Sequence, residues 1–203
     1  MPFIASGVYI DTAEKSYEIE SSYYLEFQIR SALISIEKLH KQFDADFDNK
    51  YQYYHYYTDH LLYSLGQIGN RFVVTDYDKG ITLERKQANC TNFEFSSDKY
   101  PILSDKRGRN TVEHIDEHNQ KIIKNENGVG GFNLIDNETE NELIEVFKNK
   151  RNLHPYTLDL IDNVILIVRQ DNEINIKLDE LSQELHSLYD RVVYVMQTVK
   201  DVF

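Results

Sequence analysis

The chain has 203 residues, 41% of them hydrophobic, and a formal net charge of −12 at pH 7. That length fits one domain, 1–203, with a sizeable core, and the acidity excludes broad, non-specific nucleic-acid binding, which depends on neutralising phosphates. A single cysteine, Cys90, leaves no internal disulfide and fits a reducing, cytoplasmic setting, while no stretch approaches the ~18 apolar residues that span a bilayer.

The first twenty residues lack the basic start and apolar run of a signal peptide. There are 15 Tyr and 10 Phe but no Trp. Tyrosine buries a large ring yet needs a partner for its hydroxyl, so these rings are expected at half-buried helix interfaces.

A helix is predicted from about Thr12 to Phe43, because Leu25, Ile29, Ala32, Leu33, Ile36 and Leu39 recur at spacings of three and four. A second runs from about Asp48 to Val73, rich in tyrosine in its first half and in leucine in its second. Asp76 to Lys99 has no strong period and reads as a connection with a short helix near Lys86. Pro101 precedes a third helix, from about Ile102 to Ile123. Gly128-Val129-Gly130-Gly131 marks a turn, with Ile122–Lys124 and Phe132–Leu134 as its hairpin arms.

A short acidic helix is expected over Asp136 to Asn149. Strand-like runs follow at Thr157–Asp162, Val164–Val168 and Ile174–Leu178. The chain closes on a helix from Asp179 to Val202, with Leu181, Leu185, Leu188, Val192, Val195, Met196 and Val199 in helical register. The expected architecture is mainly α: a bundle of four or five helices with a small antiparallel β insert near 153–178, α+β overall.

The third helix carries Arg109-Asn110-Thr111-Val112-Glu113-His114-Ile115-Asp116-Glu117-His118. Asn110, His114 and His118 are four apart and form one line on a helix. Arginine holds phosphate with a planar fork, and histidine moves protons near neutral pH. Lys106 and Arg107 make the region locally basic and suit an anionic substrate, with His118 as a further contact. The same residues also fit plainer readings. Arg109 lies four before Glu113, the spacing of a surface ion pair, and His114 would serve equally as a satisfied boundary histidine.

Arg109-Asn110…His114 resembles the R-x4-6-H signature of the HEPN domains (higher eukaryotes and prokaryotes nucleotide-binding), in which Asn commonly follows the Arg. The resemblance covers the motif and its flanking helices, about 120 residues. It implies a helical bundle, a homodimer with two motif copies at a shared cleft, and metal-independent endoribonuclease activity without a cofactor. Arg109, Asn110 and His114 would then be catalytic. RNA or nucleotide would be the ligand, and toxin–antitoxin or phage-defence systems the setting, with an antitoxin-like protein as a partner. Some members of the family only bind. His118, Glu113 and Asp116 are not part of the general signature, and the β-rich region is not a standard part of the domain.

Other patterns are weaker. His114 and His118 have a metal-ligand spacing but lack the HExxH order, so no metal is assigned. Asp44, Asp46 and Asp48 lack the glycine and terminal glutamate of a calcium loop. Arg151-Asn152-Leu153-His154 is a shortened copy of the motif stopped by Pro155. His55, Tyr56, Asp59 and His60 lie on the tyrosine-rich helix, and nothing in the sequence places them relative to the motif.

Overall fold

A computed structural model of the chain describes residues 2–5, 8–11, 15–41, 43, 49–105, 132–142, 144, 156–169 and 172–202. The protein is a mainly helical α+β fold. Strands β1 (Pro2–Ala5) and β2 (Val8–Asp11) precede helices α1 (Lys15–His40), α2 (Lys50–Phe72) and α3 (Ile81–Asn92). Strands β3 (Phe132–Ile135), β4 (Tyr156–Asp159), β5 (Val164–Arg169) and β6 (Asn172–Lys177) then lead into helix α4 (Leu178–Val202). No helix among the described residues is long and apolar enough to cross a membrane.

The long helices form because one face of each is apolar. On α1, Leu25, Ile29, Ala32, Ile36 and Leu39 are all buried. On α4, Leu181, Leu185, Leu188, Val192, Val195 and Val199 alternate steps of four and three, a seam that stays on one side of the helix, and all are buried. The two helices run antiparallel: Arg30 donates to the Tyr189 hydroxyl, and His40 lies 3.7 Å from Asp179.

Helix α2 packs on α1 in the opposite sense. Asn49 caps it by accepting from the Gln52 N–H at 2.8 Å. Two of its tyrosines, Tyr53 and Tyr54, are buried more deeply than the expected half-buried rings, and each finds a partner for its hydroxyl. Tyr53 donates to the Lys38 carbonyl at 3.0 Å and Tyr54 to the Lys41 carbonyl at 3.2 Å. These carbonyls lie where α1 ends: that of Lys38 also accepts from the Lys41 N–H at 3.2 Å, and the phenols add a partner to each.

The short helix near Lys86 is α3. It starts at Gly80, whose φ of +54° suits glycine. Lys86 turns inward, to the Val73 carbonyl at 3.0 Å and to both Asp78 oxygens at 2.8 and 2.9 Å. Hydrogen bonding from Lys86, then from the Thr75 N–H, holds the Asp78 carboxyl at about 2, below its ordinary 3.8. A carboxyl depressed in the folded state adds stability that is present above its unfolded pKa and lost as pH falls through the folded value. Acid titration should therefore remove a share of the stability between about pH 4 and pH 2. Urea denaturation at stepped pH should show that Asp78→Asn lacks this share.

Strand order in the larger sheet is β3-β4-β5-β6. Here the structure departs from the antiparallel expectation. The β4-β5-β6 meander is antiparallel, but β3 pairs parallel with β4, Phe132 opposite Tyr156 and Ile135 opposite Asp159. The sheet is mixed and reaches outside 153–178. A parallel neighbour needs a crossover rather than a hairpin, and residues 136–155 supply it. Residues 122–124, expected as the hairpin arm of β3, lie outside the described residues.

Alternation sets the sheet's inner face. Phe132, Leu134, Tyr156, Leu158, Ile165, Ile167, Ile174 and Ile176 share one side by register and join the same core as the helices. The four-residue turn between β4 and β5 is closed by Asp159, which accepts from the Ile161 and Asp162 N–H groups at 3.0 Å. Asn163 ends it at φ +54°.

Candidate functional site

Lys106, Arg107, Arg109, Asn110, His114 and His118 lie outside the described residues, as do Asp44, Asp46, Asp48, Gly128–Gly131 and Arg151–His154. The structure fixes what flanks the motif. Upstream, residues 101–104 form a turn, so the helix predicted from Ile102 does not begin there. Glu184 of α4 accepts from the Ile102 and Leu103 N–H groups, both at 3.0 Å, and burial pushes its carboxyl up. Tyr100, fully buried, reaches Ser187 at 3.4 Å. These contacts dock the chain on α4, the last of them six residues before Arg109.

Downstream, the chain reaches β3 against the first turns of α2, where the described residues bring the most titratable chemistry together. Tyr156 donates its hydroxyl to Asp59 Oδ1. His55 Nε2 lies 3.0 Å from that hydroxyl and 3.3 Å from Asp59 Oδ2. The His55 ring is stacked on Phe132, centroids 4.9 Å apart and planes 12° apart. Tyr51 meets Phe132 edge-on at 5.2 Å and donates to the Phe132 carbonyl. Burial and then Asp59 raise the Tyr156 phenol, so it stays a donor.

The network assigns the imidazole. The Tyr156 proton goes to Asp59, so both atoms facing His55 Nε2 are acceptors and Nε2 carries the hydrogen. In the neutral ring Nδ1 is then the open acceptor. Tyr156→Phe removes the donor from a half-exposed carboxylate and one acceptor from His55. It should cost about 1 kcal/mol, read as a shift in the urea midpoint at unchanged m-value.

Sequence reasoning named His55, Tyr56, Asp59 and His60 without placing them. The spacing of four between His55 and Asp59 was the available signal, since it sets both on one face of α2. Tyr156 comes from a strand 97 residues from Asp59 and carried none. Tyr56 and His60 form a separate ring pair, 4.4 Å between centroids.

Other candidates are less able to do chemistry. Among the described residues no three His, Cys, Asp or Glu side chains are grouped to hold a metal. The half-buried Cys90 thiol faces the Phe72 carbonyl at 3.3 Å, and burial pushes it up, away from the reactive thiolate. Lys99 lies 3.3 Å from Glu94. An open groove of about 410 Å³ between the end of α1 and the start of α4 is walled by Leu39, Tyr54 and Leu160. Its rim groups are already engaged: Lys41 with Glu37, and His40 with Asn163 at 3.0 Å.

Comparison with family models, with curated proteins and with solved structures finds no match to this chain.

Proposed function

We propose that the chain is a metal-independent endoribonuclease of HEPN type, acting in the cytoplasm as a homodimer. The observation that carries this reading is the set Arg109-Asn110…His114, an arginine, an amide and a histidine at the spacing of that signature. His114 takes the proton of a ribose 2′-hydroxyl, and the freed oxygen attacks the adjacent phosphorus. Arg109 stabilises the charge that builds on the phosphoryl oxygens. Asn110 orients the histidine or holds a phosphate oxygen. The 5′-oxygen leaves with a proton taken from water, a 2′,3′-cyclic phosphate remains, and His114 returns the proton it took to solvent. Lys106, Arg107 and His118 contact the strand. A helical fold in which long antiparallel helices build the core is compatible with this assignment.

A second reading is favoured by the charge. At −12, the chain repels RNA globally, which suits a catalytically inactive module of the same kind that binds nucleotide, RNA or a protein partner. Incubating the protein with total cellular RNA in excess EDTA separates the two. Cleavage leaving cyclic phosphate ends supports the nuclease. Intact RNA, with binding detected by anisotropy, transfers the assignment to the module.

A further inference from the structure

We infer that the His55–Asp59–Tyr156 cluster is a recognition site for the guanidinium of an arginine side chain presented by a basic protein partner. The geometry selects donors. Asp59 is half exposed, and each of its oxygens keeps acceptor capacity beyond its single internal partner. In its neutral form His55 adds Nδ1 as an acceptor. The Tyr51 hydroxyl is turned inward to the Phe132 carbonyl, so its exposed ring contributes a π face. His55 rests one face on Phe132, and its side chain is 40% exposed.

The charge selects a cation. Among the described residues no lysine or arginine pairs with Asp59, whose partners are a phenol and an imidazole. Lys50, one turn before His55, is held by Asp136 and Glu138, both at 2.6 Å. A phosphate would face only acceptors here and be repelled, whereas the net charge of −12 draws a basic partner.

Arginine fits better than lysine. Its planar fork donates to a carboxylate in two places while its face lies on a ring. The fold already lays an arginine over a tyrosine ring three times: Arg30 over Tyr189 at 5.0 Å, Arg71 over Tyr24 at 5.0 Å and Arg191 over Tyr194 at 4.9 Å. This inference is independent of the nuclease reading.

The test uses the full chain, 15N-labelled on histidine, titrated at physiological salt with acetyl-Gly-Arg-Gly-amide and with its Gly-Lys-Gly counterpart. The Arg peptide should shift the His55 ring signals, with a dissociation constant on the order of millimolar and about tenfold below that of the Lys peptide. Asp59→Asn should weaken Arg binding about tenfold, and Asp76→Asn, an exposed aspartate elsewhere, should leave it unchanged. Equal affinity for the two peptides on the unaltered protein would overturn the proposal without relying on any variant. So would equal losses in the two variants, which would indicate diffuse acidic attraction. A His55 response to a guanosine oligonucleotide but not to the Arg peptide would overturn it in favour of RNA.

Discussion

Replacing His114 with alanine is expected to lower EDTA-resistant RNA cleavage by a factor on the order of 10² to 10⁴, the usual share of one positioned acid–base group. The loss should appear in kcat, because the proton moves only in the transition state. Arg109→Ala should fall by a similar order, since it removes the charge that stabilises the phosphoryl oxygens. His118→Ala should behave differently. As a strand contact it should raise KM and leave kcat near that of the parent. Steady-state cleavage of one defined oligonucleotide by the three variants tests all of this together. If His114→Ala cleaves like the parent, another residue carries the chemistry and the motif reading is wrong.

The second large effect concerns stability. Lys86→Met should cost about 3 kcal/mol, because it strands the Asp78 carboxylate in a site where both partners are about 10% exposed. It also leaves the Val73 carbonyl, at the end of α2, without the ammonium. The double variant Lys86→Met, Asp78→Asn should recover most of the loss. It keeps an acceptor for the Thr75 N–H and removes the uncompensated charge. Urea denaturation of parent, single and double variants measures this. A double variant no more stable than Lys86→Met would show that the lysine acts through packing and the Val73 carbonyl rather than through the pair.

The long helices could be read from sequence because their physics is local and periodic. The α4 seam repeats through six buried positions, and α1 through five, so the buried face writes itself into the spacing. Strands β5 and β6 were visible for a related reason: short apolar or alternating runs bounded by polar turns. What failed depends on distant partners. Nothing in Phe132–Ile135 states that its neighbour is Tyr156–Asp159, or that the pairing is parallel. Pro101 suggested a helix start, yet residues 101–104 form a turn, docked by the Ile102 and Leu103 N–H groups on Glu184, 82 and 81 residues away. The β1–β2 hairpin was missed because two four-residue strands are too short to establish a period. At the site the limits reverse. The motif is plain in the sequence and lies outside the described residues. The His55 cluster is plain in the structure, and only its α2 half could be inferred beforehand.

The antiparallel packing of α1 against α4 also governs how the protein comes off the ribosome. Helices α1 and α2 emerge first and can pair at once, but the side of α1 that α4 covers waits for more than 100 further residues. At roughly 5–20 residues per second, that interval lasts roughly 5 to 20 seconds. Throughout it a nascent helical hairpin carries an open apolar stripe and an unfinished sheet. Apolar surface left open for that long exposes the newborn chain to aggregation until α4 closes the core.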